Sequence, residues 1–255
     1  MMHESAIFLA ILKKFFIELK RYAFNTVMMM AGIYILFALI FMGLQSFDAG
    51  DETLGGSMVG FAMWIFVILG FSELAWSLLE EARNGTLEQL YLSPVSFTRI
   101  SGYRIIASFF FNLLLIGVFM VMMMVGTGHY LTFSWGVMPM MFLTLLAVYG
   151  IGFMMGGLAL VFKKVQGAFS ILQFIFIFLL VLPNVTDHPI IYFVPISWGN
   201  VLLNRLMVSG VGITNIPAMD LVIVVVNSLA YLGAGFLVFN LLEKLAKDRG
   251  SLGHY

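Results

Sequence analysis

Six stretches of this sequence, residues 24–44, 58–79, 105–125, 137–162, 168–183 and 219–242, hold no lysine or arginine at all. A helix crossing a hydrocarbon core of about 30 Å needs about 20 predominantly apolar residues. Five of the stretches reach that length; the fifth in order is short and ends at Pro183. Charged residues make up 10% of the chain, against about a quarter in soluble domains, so lipid is its main solvent. The expectation is an all-α integral membrane protein with six transmembrane helices, forming a single transmembrane domain over residues 1–255.

The basic residues orient these spans, because Lys and Arg in short loops favour the cytoplasmic side. Lys13, Lys14, Lys20 and Arg21 precede the first span; Arg83, Arg99 and Arg104 lie between the second and third. Lys163 and Lys164 separate the fourth and fifth, and Lys244, Lys247 and Arg249 follow the sixth. Arg205 alone falls on the other side, with Asp48, Asp51, Glu52 and Asp187, and with Asp220 near that end of span six. Both termini are expected in the cytoplasm. The apolar run "AIFLAIL" comes before the first basic cluster rather than after it, the reverse of a cleaved signal peptide, so the N-terminal segment is expected to be retained.

Three connecting segments carry more pattern than a loop needs. Residues 4–23 space Phe8, Ile11, Leu12, Phe15, Leu19 and Tyr22 three or four apart among charged residues. That pattern predicts an amphipathic helix lying in the membrane interface, or alternatively a cytosolic extension of span one. Residues 184–218 are too apolar for a free outer loop and predict one or two short helices folded back into the outer face, where protein or water shields their backbone. Residues 80–104, "EEARNGTLEQLYLSPVSFTRISGYR", form the long polar run of the chain. Asn84-Gly85 is a helix stop, Thr86 to Gln89 form a capping box, and Pro94 limits the helix that follows. Periodicity alone favours an ordinary interfacial turn here over a short helix.

The identity of those residues adds a resemblance. Residues 80–104 closely resemble the segment between the second and third spans of type-2 ABC transporter permeases, through Glu81, Gly85, Thr86, Leu87, Glu88, Leu90, Ser93, Pro94, Val95, Ser96 and Gly102. Arg83 stands where the family usually has a second acid, and Tyr103 replaces its lysine, with Arg104 adjacent. A second, weaker resemblance lies in "FVPISWGNVLLNRLMVSG", through Pro195, Ser197, Trp198, Arg205 and Gly210 of the outer segment.

The resemblance implies a cytoplasmic coupling helix that docks on a separate ATP-binding cassette ATPase subunit, present in two copies. Gly85, Thr86, Leu87, Glu88, Gln89, Leu90, Tyr91, Ser93 and Pro94 would form that interface. It implies ATP and magnesium on the partner, none on this chain, and a second permease copy, identical or similar. It implies export across the cytoplasmic (inner) membrane of a prokaryote. Spans nearly free of charge then suggest a hydrophobic or amphiphilic cargo, a drug-like molecule or lipid; a polysaccharide or glycolipid exporter of the same family is the alternative.

Other chemistry finds little support. No G-x-x-x-x-G-K-[ST] phosphate loop is present, and the Gly-rich "TLGGSMVG" lacks the lysine. No His-Glu-x-x-His zinc motif occurs, and His3, His129, His188 and His254 are scattered. The absence of cysteine excludes disulfides and thiol catalysis. The zero formal net charge points to no nucleic acid. Glu73 is the ionisable residue inside a span, about 10 Å inward of Glu80 by helical rise. It reads either as a structural carboxylate paired with Arg21 or Arg104, or as a gating group, on one face with Trp76, Ser77 and Glu80. Gly152 and Gly156 in span four, and Gly233 and Gly235 in span six, predict close helix packing. A non-transporting membrane scaffold and an ion-coupled carrier using Glu73 remain competing functions.

Overall fold

The computed structural model of the chain describes residues 13, 17, 20–21, 23–47, 50–83, 97–162, 165–184 and 188–248. Within these, the side chains at 73–74, 77–83, 97–102, 104, 184 and 247–248 are not described. From residue 23 on, the described residues form seven α-helices in order: α1 Ala23–Ser46, α2 Asp51–Arg83, α3 Phe97–Thr127, α4 Val137–Val161, α5 Gln166–Val181, α6 Ser197–Met207 and α7 Ala218–Asp248. Short 3₁₀ turns at Leu182–Asn184, Pro189–Tyr192 and Ile213–Asn215 complete the described structure, which contains no strand. Helices α1, α2, α3, α4 and α7 are long and apolar enough to cross a membrane. The protein is helical, with the composition of a multi-pass membrane protein.

Helix α5 is the shorter apolar helix. Its 16 residues rise about 24 Å, short of a hydrocarbon core, but the 3₁₀ turn at Leu182–Asn184 continues it by about 6 Å. Its direction is set by its partners. Phe169 near its start packs edge-on against Trp76 and Phe71 of α2, and Phe176 packs on Phe71 again. Its end meets α6, which packs beside the start of α2. Helix α5 is therefore antiparallel to α2 and runs through most of the depth of the bundle.

Helix α4 is the hub. It packs on α2, α6 and α7, and Leu145, Val148, Tyr149, Gly152 and Phe153 are among its buried residues. Its tightest seam is with α7. A side chain at Gly150 would strike the Tyr231 backbone, and one at Gly235 would strike the Gly150 backbone. Phe153 packs edge-on against Phe236 and Phe239. The small-residue expectation holds at Gly235 but not at Gly233, whose Cβ direction is open. Gly152 and Gly156 are buried, and Gly150 adds a close backbone approach that the spacing did not single out. A glycine removes the Cβ that would otherwise hold two helix backbones apart.

The helix starts differ from expectation in one instructive place. Residues 51–57 were expected in an outer loop, with span two starting at 58. Instead α2 begins at Asp51 and carries Gly55 and Gly56 inside it. Carboxylates at a helix N-terminus meet the positive end of its dipole, so Asp51 and Glu52 favour the helix rather than the loop. Helix α3 likewise starts at Phe97, eight residues before the apolar stretch.

One end of the bundle gathers Asp51, Glu52, Arg205 and Asp220, which the charge rule assigns outside. Asp51 Oδ1 lies 3.3 Å from His129 Nε2, and Arg205 Nη1 lies 3.3 Å from Asp220 Oδ2. Gly128, at φ +73°, turns the chain out of α3 in the left-handed conformation glycine tolerates.

Candidate functional site

The segment between α5 and α7 packs against the other helices. Helix α6 buries Leu202, Leu203, Leu206 and Met207, and it is fastened at both ends. At its start, Ser197 Oγ donates to the Leu179 carbonyl at 2.6 Å, and Asn200 Nδ2 donates to the Leu180 carbonyl at 3.1 Å. These two bonds satisfy carbonyls at the C-terminus of α5, which have no partner within that helix. At its end, the Thr132 N–H donates to the Met207 carbonyl at 2.8 Å, and Thr132 Oγ1 lies 2.9 Å from the Leu206 and Met207 carbonyls. The entry to α6 is strained: buried Ile196 sits at φ +74°, within a tight turn closed by Ser197 N–H to the Pro195 carbonyl at 2.8 Å. A β-branched residue in that region costs about 1–3 kcal/mol and persists where the surroundings over-determine it. The Ser197 and Asn200 bonds supply that constraint.

The face of α6 opposite its leucines presents Asn200 and Asn204. They line a cavity of about 910 Å³ bounded by α1, α2, α5 and α6. Apolar walls come from Leu36 and Ile40 of α1 and Ile177 and Leu180 of α5. Helix α2 supplies Glu52, Thr53, Gly56, Ser57, Gly60, Phe61 and Trp64, a stripe at three- and four-residue spacing and hence one helix face. Small residues in the middle of that stripe leave the space: a Cβ at Gly60 would meet nothing within 4 Å. Phe61 and Trp64, packed edge-on at 5.3 Å, stand at its deeper end. Glu52 and both asparagines also line a smaller adjoining cavity that reaches Arg205 and Ser209.

The hydrogen bonding of this wall is incomplete. Asn204 Nδ2 donates to the Asn200 carbonyl at 3.0 Å, so both carboxamide nitrogens are engaged. Asn200 Oδ1, Asn204 Oδ1 and Trp64 Nε1 are buried without a partner among the described residues. Leaving a buried polar atom unsatisfied costs about 1–3 kcal/mol. Three such atoms around one cavity mark it as the place where a hydrogen-bonding guest gains most.

The residues singled out from sequence distribute unevenly about this site. Pro195, Trp198 and Arg205 lie beside it. Pro195 is buried at the entry to α6. Trp198 packs against Tyr192 with ring centroids 4.5 Å apart and lies under the Arg205 guanidinium at 5.7 Å. Their role is to seat α6 rather than to face the cavity. The coupling-interface residues, Gly85, Thr86, Leu87, Glu88, Gln89, Leu90, Tyr91, Ser93 and Pro94, lie outside the described residues. So do most of residues 4–23, although Lys13, Ile17, Lys20 and Arg21 are helical and exposed. Glu73, Glu80 and Glu81 fall on the backbone of α2, and Arg104 on that of α3; their side chains are not among those described. No group of three or more His, Asp or Glu able to hold a metal ion occurs among the described residues.

Sequence reasoning missed Asn200, Asn204, Trp64 and the α2 stripe. The signal was present. Asn200 and Asn204 are four apart in a helix whose other residues include four buried apolar ones. Thr53, Gly56, Ser57 and Gly60 repeat small residues at helical spacing.

A scan against protein-family models and a search of curated proteins each find no match for this chain.

Proposed function

We propose that this chain is the membrane-spanning permease subunit of an ATP-driven ABC exporter, moving a hydrophobic or amphiphilic cargo through the cavity between α1, α2, α5 and α6. The observation that carries the reading is the reach of one helix. At its Asp51 end α2 lines the cavity, and at its Arg83 end it leads into the 85–94 block that resembles a coupling helix. A rigid helix of 33 residues is about 50 Å long, long enough to carry a displacement from a cytosolic partner to the opposite face of a membrane.

In this reading two copies of the permease, or this chain and a similar one, associate with two ATPase subunits. ATP and magnesium bind those subunits, and no chemical step belongs to the permease. Closure of the ATPases pushes the 85–94 segment, α2 tilts, and the cavity switches its exposure between membrane faces. Six crossings, with α5 and its 3₁₀ extension as the fifth, and both termini in the cytoplasm complete the arrangement. Helix α6 serves as the outer re-entrant strut.

The test is reconstitution with the ATP-hydrolysing subunit that purifies with the chain. Cargo-stimulated hydrolysis is expected to fall about tenfold, or about 1.4 kcal/mol in coupling, on Glu88→Lys or Leu90→Ala. Unchanged association and hydrolysis in both variants overturns the proposal.

A further inference from the structure

We infer that the cavity takes a cationic amphiphile: one protonated amine on an apolar body, with the amine held between Glu52, Asn200 and Asn204 and the body extending toward Phe61 and Trp64. The inference rests on reading this cavity as the cargo site, and it adds the chemical class of the cargo.

Three observations converge on it. The first is the hydrogen-bonding demand. Each Asn nitrogen already donates one bond, whereas both carboxamide oxygens, Asn200 Oδ1 and Asn204 Oδ1, have no partner among the described residues. Acceptors call for a donor, and an ammonium group is donor-only, with up to three N–H bonds to give. The oxygens are recessed in the wall, Asn204 Oδ1 over Gly56. The terminal torsion of asparagine is broad, and turning the carboxamide exchanges its Nδ2 bond for a contact between the oxygen and a guest.

The second observation is charge. Glu52 lines this cavity, the adjoining one that reaches Arg205, and another beside Asp51 and His129. It is exposed and has no ion-pair partner among the described residues. The nearby cation, Arg205, is engaged by Asp220, and the neighbouring acid Asp51 lies against His129. The mouth of the cavity therefore presents a carboxylate with no opposing charge. An anionic head would meet the Glu52 carboxylate and two acceptor oxygens, offset only by the second N–H of each carboxamide. A neutral alcohol satisfies one oxygen but gains nothing from the carboxylate.

The third is the polarity gradient. Glu52, Thr53, Ser57, Asn200 and Asn204 occupy the Asp51 end of the cavity, whereas Phe61 and Trp64 lie two to three helical turns further along α2. Three turns span about 16 Å, the length of a long alkyl chain or two fused-ring units. Leu36, Ile40 and Ile177 make the α1 and α5 side of the cavity apolar, which suits a molecule already dissolved in the bilayer. Such an amine can come from a soluble amphiphile or from an amino-headed membrane lipid.

Binding is measured on the chain alone, in phosphatidylcholine nanodiscs and without ATP, so loss of ATPase coupling and loss of amine binding are separate outcomes. A diazirine-bearing dodecylamine is photo-crosslinked, and labelled residues are mapped by mass spectrometry. Saturable labelling of the α2 and α6 cavity residues is expected. Dodecylamine should displace the label at concentrations at least tenfold lower than dodecanol or dodecanoate. Glu52→Gln, at an exposed position, should erase the preference for amine over alcohol. Gly60→Phe, which projects into open space, should abolish cavity labelling while leaving thermal stability unchanged. Adding phosphatidylethanolamine to the discs assigns the source, since a lipid cargo competes with the label and a soluble one does not. Equal displacement by amine, alcohol and carboxylate, or labelling indifferent to both substitutions, overturns the inference.

Discussion

The α4–α7 seam and the cavity beside α2 use the same residue to opposite ends. At the seam, Gly150 and Gly235 let two backbones meet, and nothing larger fits. At the cavity, Gly60 faces open space, and Gly56 leaves room for the Asn204 carboxamide. Within a membrane, lipid tails are as apolar as leucine, so helices associate through close packing and polar contacts rather than by leaving water. A seam of this kind holds the bundle together, and a void of this kind costs dispersion contacts. A void lined with unpartnered polar atoms therefore points to binding, as a tight glycine crossing points to assembly. The two regions also differ in their neighbours. The seam sits on the central helix α4, whereas the cavity is bounded by α1, which is mostly exposed.

Substitutions that interchange the two regions should separate fold from function. The largest effect is expected from Gly150→Leu, which forces a branched side chain into the Tyr231 backbone. It should destabilise the protein by about 3 kcal/mol or more, the upper end for over-packing, read as a collapse of the thermal unfolding midpoint in detergent. Gly60→Phe makes a larger change of volume on the cavity side yet should leave that midpoint in place and abolish cargo binding. If both variants unfold alike, the distinction between seam and cavity fails.

The sequence made some of this contrast visible and hid the rest. The long helices were legible because a lipid-crossing segment must exclude charge over about 20 residues, and few other folds impose that. The start of α2 was not, because Asp51, Glu52 and Gly55-Gly56 read as loop chemistry. They are tolerated in a helix where the dipole favours acids and where neighbours press close, as Val208 does on Gly55. Gly233 and Gly235 looked equivalent by spacing; only the rotation of α7 against α4 decides between them. Asn200 and Asn204 were missed: their four-residue spacing stands in the sequence, but their missing partners depend on which elements surround α6. The pairing of Arg205 with Asp220 followed the charge rule, which placed both at the same end.

Smaller effects sharpen the account further. Asn204→Leu removes an unsatisfied acceptor together with one donor bond, terms of similar size. Stability should change by no more than about 1 kcal/mol, while amine binding weakens measurably in the cross-linking assay. Arg205→Gln should cost less than about 1 kcal/mol, since the ion pair is partly exposed and such pairs contribute little. A larger loss in denaturant titration would mean that the stacking of Arg205 on Trp198 holds α6 in place.

The most direct measurement of the central claim is ATP-dependent efflux from proteoliposomes containing this chain with and without its copurifying ATPase. Cargo movement is predicted to require the ATPase and ATP together, and to stop when Glu88 is reversed to lysine while the purified bundle stays folded. Cargo movement that persists without the ATPase, or that ignores Glu88→Lys, would contradict it.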